Sequence, residues 1–183
     1  EKRDNERIKG NRIKKETEED EHGNKRSDRS YDTSGNKIEE TSYNSNGNVE
    51  RTIRYHYDND DDLTESSVYD STDTEIGKNN FEYGQSKLLR KSTTRKQDGS
   101  VALKADFEYD ANDNMRELHA KDGNDRTIQK AVYGHTASGK LTEAKGYGPN
   151  DSLTSITTYT VNDSGDVTEQ ITTNPDGTRV QRV

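Results

Sequence analysis

Apolar residues in this chain keep the two-residue period of a β-strand. Val49, Ile53, Tyr55 and Tyr57 share one parity, and so do Val101, Leu103, Ala105, Phe107 and Tyr109. No segment shows apolar residues recurring at i, i+3 and i+4, so helices are not expected. Clusters of Asn, Asp, Ser and Gly interrupt the alternation about every 12 to 14 residues, as in YDTSGNKI from Tyr31, YDNDDDL from Tyr57 and YDANDNM from Tyr109. These residues adopt positive φ or bond their own backbone, which a tight reversal requires. Strands of about seven to nine residues lie between the reversals.

Tyrosine exposes a longer period. Tyr31, Tyr57, Tyr83 and Tyr109 are each 26 residues apart, Tyr133 follows after 24, and Tyr159 after another 26. A second series places Tyr43 and Tyr69 also 26 apart, with Tyr147 in the equivalent place later. Self-similarity at such a period marks a repeat architecture. The spacing divides the chain into about seven two-strand units, approximately 5–30, 31–56, 57–82, 83–108, 109–132, 133–158 and 159–183. Residues 1–30 form a degenerate first unit with only Ile8 and Ile13 as aliphatics and no tyrosine, a polar cap or a frayed end. Residues 31–183 are the tyrosine-marked hairpins, and no linker composition divides 1–183, which is read as one array.

Within many strands the apolar residues stand at the two ends of one face. Leu63 and Tyr69 enclose Glu65 and Ser67; Leu141 and Tyr147 enclose Glu143 and Lys145; Leu153 and Tyr159 enclose Ser155 and Thr157. A sandwich core needs apolar residues through the strand centre. The expected fold is therefore all-β: an extended, twisted antiparallel meander of tandem β-hairpins with about 14 strands, largely single-layer and without a compact core. Across the turns, Tyr57 with Leu63 and Tyr109 with Met115 are placed to pair on one face. A parallel β-helix is the second choice, since reversals this frequent suit hairpins better than coils.

Composition supports a structure without a large interior. Only 23% of residues are hydrophobic, and Leu, Ile, Val and Phe make up 25 of 183, about 14%, below the roughly 20% associated with disorder. The repeat argues for order all the same, held by backbone ladders and small local clusters. With 36 acidic and 28 basic residues the net charge is -8, which disfavours nucleic acid and anionic membrane surfaces as partners. The basic run EKRDNERIKGNRIKK is followed at once by ETEEDE and reads as a self-compensating surface. No apolar run is long enough to span a membrane. Cysteine is absent, which removes disulfides and thiol chemistry. The chain starts at Glu1, as a mature or trimmed chain would.

No catalytic, cofactor or metal site is expected. Asp58, Asp60 and Asp62 have the spacing of a calcium loop, but Leu63 and Tyr69 stand where that loop needs Gly and Glu. His22, His56, His119 and His135 are scattered over different units without ligand spacing. Nucleophile-elbow and phosphate-loop glycine patterns are missing, and a thin sheet offers no wall to desolvate a catalytic carboxylate. A non-enzymatic protein follows. The candidate ligand-facing surface is an aromatic row in equivalent slots: Tyr55 and Tyr57, Phe81 and Tyr83, Phe107 and Tyr109.

The pairs Tyr31-Asp32, Tyr57-Asp58, Tyr69-Asp70 and Tyr109-Asp110, each leading into a turn and an aliphatic residue, resemble the bacterial YD-repeat (RHS-like) proteins, which build toxin-enclosing shells from hundreds of repeats. The whole-chain pattern also resembles secreted single-layer β-sheet proteins of gut bacteria made of tandem β-hairpins and linked to the use of complex carbohydrates. These resemblances imply a secreted or surface-attached scaffold or binding module, with polysaccharide or other surface proteins as partners. Two alternatives accompany that reading: a surface filament or matrix protein that self-associates through edge strands, and a fragment of a YD-repeat shell.

Overall fold

The computed structural model describes residues 2–162 and 164–182. A helix, α1 (Lys2–Gly10), precedes β1 (Lys15–Glu19), β2 (Lys25–Tyr31), β3 (Lys37–Tyr43), β4 (Val49–Tyr57), β5 (Leu63–Tyr69) and β6 (Glu75–Tyr83). Then follow β7 (Leu89–Lys96), β8 (Val101–Tyr109), β9 (Met115–Asp122), β10 (Thr127–His135), β11 (Leu141–Tyr147), β12 (Leu153–Val161), β13 (Val167–Thr173) and β14 (Arg179–Arg182). Among the described residues these are fourteen strands of one open antiparallel sheet, ordered as in the chain. The chain divides into two compact units, Glu1–Phe81 with Thr94–Ser100, and Glu82–Thr93 with Val101–Val183. Each is described separately below.

The turns explain the Tyr-Asp pattern. Tyr57 closes β4, and Asp58 opens a reversal in which the Asp61 N–H donates to the Asp58 carbonyl at 3.2 Å and the Asp58 N–H to the Asp62 carbonyl at 3.0 Å. The Asp58 carboxylate accepts the N–H groups of Asp60 and Asp62 at 2.9 and 3.0 Å. Asp70, Asp110 and Asp122 hold their turns in the same way. The fourth turn residue is left-handed, as Gly47 (φ 77), Asp61 (φ 64) or Asp113 (φ 64). This is the three-residue hairpin loop closed by a left-handed residue. A one-residue register shift beside the turn then sets Tyr57 opposite Leu63, Tyr109 opposite Met115 and Tyr43 opposite Val49. The expected tyrosine–aliphatic pairs across the turns are formed.

Burial is mostly polar. Ile8 is the buried hydrophobic residue among those described, while Ser27, Asp28, Asn36, Thr52, Ser66, Ser67 and Thr93 are buried polar ones. Ser67 is fully buried, with Arg54 and Lys78 as its cross-strand neighbours. Asp28 accepts bonds from Thr17 at 2.7 Å and Tyr43 at 2.9 Å and pairs with Lys15 and Lys25 at 3.0 and 3.1 Å. Burial would raise its carboxyl pKa, but these donors together hold it well below the usual range. No buried side-chain polar atom among the described residues lacks a partner.

Two expectations need correction. Residues 2–10 are helical although no helix is expected: KRDNERIKG has no strand alternation, and Arg7 and Lys9 in its last turn favour the negative helix end. Tyr133 and Tyr159 do not belong with Tyr57 and Tyr109. Each is the third residue from the end of its strand, and His135 and Val161 take the turn-adjacent place. The repeat therefore keeps its 26-residue step through β10, and the boundary read at residue 132 is two residues early. Phe107, Leu118 and Ala131 lie opposite one another on β8, β9 and β10.

Candidate functional site

The nine-residue strands β4, β6, β8, β10 and β12 recur at 26-residue steps, and their third-from-last positions are Tyr55, Phe81, Phe107, Tyr133 and Tyr159. Sequence reasoning found the first three in its aromatic row and misassigned the other two. The unbroken spacing from Tyr55 is the signal that would have placed them. Tyr57, Tyr83 and Tyr109, the other half of that row, close β4, β6 and β8. All eight residues are half-buried.

In the second unit, register sets the face. Phe107 lies opposite Leu118, which lies opposite Ala131 and then Gly146. Tyr133 lies opposite Ala144, which lies opposite Thr157 and then Thr172. Because alternate residues of a strand share a face, Ala131 puts Phe107 with Tyr133, and Thr157 puts Tyr159 with them. The residues between the rings in these rows are aliphatic, small or hydroxylic, and none is charged. The partner two strands away from Phe107 is 24 residues on, while the repeat is 26. Each ring is thus displaced two residues along the strand as well as two strands across, giving a diagonal spacing of about 12 Å between Cα atoms.

The opposite face of the same unit carries most of the charge, while Asp122, opposite Leu103, and Arg90, 5.0 Å from the Tyr109 ring centre, stand at the margin of the aromatic face. Lys121 pairs with Asp106 at 2.8 Å, Lys130 with Glu117 at 3.1 Å and Lys145 with Glu143 at 2.7 Å. His119 also contacts Glu117, and this bond, with the nearby Lys130, lowers the Glu117 pKa. The two faces therefore differ sharply in polarity.

The first unit treats its aromatics differently. Tyr55 lies opposite Ser66, which lies opposite Asn79, and Phe81 is two residues farther along the same face. The Lys37 ammonium stands 4.9 Å from the Tyr55 ring centre, and the Tyr55 hydroxyl donates to Glu40 at 3.4 Å. Glu40 also binds Arg29 at 3.0 Å and Lys37 at 2.6 Å, so this ring is built into an ion network. At the rim, the Tyr57 hydroxyl donates to the Lys37 carbonyl and Tyr109 to that of Leu89, each at 3.0 Å. Among the described residues, no cluster of three or more His, Cys, Asp or Glu side chains is arranged to hold a metal ion.

No protein-family model matches the chain, and no curated protein is similar to it in sequence. Solved structures similar to it include a Photorhabdus luminescens Tc holotoxin pore, at 16% identity and TM-score 0.47, over 85% of this chain and 9% of that one. TcdB2-TccC3 is similar at 15% identity and TM-score 0.48, over 85% of this chain and 10% of that one. A porin-like protein from Bacteroides uniformis is similar at 10% identity and TM-score 0.41, over 86% of each chain. This chain spans about a tenth of the toxin chains. With every score below 0.5, a functional reading rests on this chain's own surface.

Proposed function

We propose that this is a non-enzymatic bacterial repeat protein, secreted or held at the cell surface, that lays one sheet face against a neutral polysaccharide. The observation that carries the reading is the ladder of Phe107, Tyr133 and Tyr159 in the second unit, with no charged residue in the rows between the rings. Aromatic rings offer flat apolar surfaces to the C–H faces of sugar rings. Thr157, Thr172 and Ser155 in the adjoining rows supply hydroxyl donors and acceptors. A polymer without charge suits rows without charge between the rings, and the net charge of -8 works against nucleic acid. Tyr57 and Tyr109 serve the rim in this reading, since their hydroxyls are committed to backbone carbonyls.

The test is retention on insoluble glucans, xylans and mannans, and mobility in gels containing their soluble forms, with alginate as the anionic control. Each ring should contribute about 1 kcal/mol, a factor of about five, by analogy with base stacking on aromatic side chains. Phe107→Ala, Tyr133→Ala and Tyr159→Ala together should reduce binding more than fiftyfold, with the fold checked by circular dichroism. Blank results across the neutral polymers, or undiminished binding by the triple variant, would refute the reading.

A further inference from the structure

The basic N-terminal run, expected to be a self-compensating surface, is only partly compensated. Arg7 pairs with Glu16 at 2.7 Å and Lys15 with Asp28 at 3.0 Å. Lys9, Arg12 and Lys14 make no ion pair with any described residue, in a protein whose net charge is -8.

These three cations surround a cavity of about 400 Å³, within the size range of small-molecule sites. The end of α1 builds it. The Ile13 N–H donates to the Ile8 carbonyl at 3.0 Å and the Arg12 N–H to that of Lys9 at 3.1 Å, with Arg12 left-handed at φ 52. This is a Schellman ending, whose usual apolar pair corresponds here to Ile8 and Ile13. Both isoleucines line the cavity, with Tyr31 from the end of β2. The Tyr31 hydroxyl is turned to Glu16 at 2.7 Å. Of the two turn residues on the wall, Asp32 accepts the Asn36 N–H at 2.8 Å and Thr33 adds no charge. Among the described lining residues, the cavity therefore combines apolar walls with three cations that make no ion pair and one carboxylate already bonded to its own turn.

We propose that this cavity binds a small amphiphilic organic anion, with the apolar body against Ile13 and Tyr31 and the anionic group among Lys9, Arg12 and Lys14. An isolated phosphate or sulfate would leave the apolar walls uncovered, and a neutral hydrophobe would leave the cations unpaired. The site is separate from the aromatic ladder, and either can fail without the other.

The test uses three probes sharing one body: 4-phenylbutyrate, 4-phenylbutanol and 4-phenylbutylamine. Affinities come from calorimetry, and the site from amide chemical shifts of the full chain. The carboxylate should bind at least tenfold tighter than the alcohol, the amine should not bind, and shifts should centre on Ile8, Ile13 and Thr33. Combined Lys9→Gln and Lys14→Gln should remove most of the preference for the carboxylate over the alcohol. Arg12→Gly should weaken the carboxylate while easing the left-handed backbone, so loss of fold does not explain the result. Equal affinity for acid and alcohol, unchanged affinity in these variants, no binding at millimolar probe, or shifts centred elsewhere would overturn the proposal.

Discussion

Gly47→Ala isolates the cost of one turn. Gly47 has φ 77 and closes the β3–β4 reversal by donating its N–H to the Asn44 carbonyl at 2.9 Å. A Cβ added there meets nothing within 4 Å, so the penalty is the left-handed backbone strain of an L residue, about 1–2 kcal/mol. With an unfolding entropy near 2.1 cal/mol/K per residue, that lowers Tm by about 3–5 °C if the sheet unfolds as one. If the array opens in parts, the loss appears as faster hydrogen exchange confined to β3 and β4. Gly47→Asp should cost less than Gly47→Ala, because Asp occupies the equivalent left-handed place at Asp61, Asp73, Asp113 and Asp125. Paired urea melts and amide exchange of the two variants decide the matter. A neutral alanine, or an aspartate as damaging as alanine, would refute the assignment of this repeated slot.

Other perturbations probe other parts of the sheet. Gly123→Ala should cost about 2–3 kcal/mol, because its Cβ would fall 2.0 Å from the Val101 carbonyl oxygen, and backbone yields less readily than a side chain; urea melts measure it. Tyr57→Phe and Tyr109→Phe should each cost about 1 kcal/mol in the same melts through the lost bond to a backbone carbonyl at 3.0 Å. The Asp28, Asp70 and Asp110 carboxyls are lowered on folding, Asp28 by donors that outweigh its burial and the other two by bonds within their turns. Their contribution is full above the unfolded carboxylate pKa near 4 and falls as pH drops through the lower folded values, so Tm should decline below about pH 4, less steeply in Asp28→Asn. Tyr31 is pushed up to about 12 by burial and by its bond to Glu16; its stabilisation is lost as pH rises from about 10 through that value, and absorbance titration of Tyr31→Phe against the parent should remove a late-titrating phenol.

The period, the strand parity and the turn chemistry were legible because each is local. Asp58 is bound to its own turn within four residues, and the Tyr57–Leu63 pair spans six. The α1 helix was missed because only Ile8 marks its buried side, and one apolar residue makes no stripe. The phase error at Tyr133 arose from aligning tyrosines instead of turns, when His135 fills the turn-adjacent slot. The difference between the two faces of the second unit was hidden by the register. Only when Ala131 and Ala144 are set beside Phe107 and Tyr133 do uncharged rows emerge from a chain that is 35% charged. The cavity at Ile8 and Ile13 likewise depends on a helix ending that strand patterning does not foresee.

The central structural claim is that this sheet stands with almost no apolar interior, and the heat capacity of unfolding tests it directly. Exposure of apolar surface raises that quantity and exposure of polar surface lowers it; an ordinary globular chain of 183 residues gives about 2.2–2.7 kcal/mol/K. A sheet whose buried side chains are mainly Ser, Thr, Asn and Asp should give about half that or less by scanning calorimetry over a range of pH. A value within the ordinary range would contradict the account, because it would require an apolar core where the described residues bury only one hydrophobic residue, Ile8.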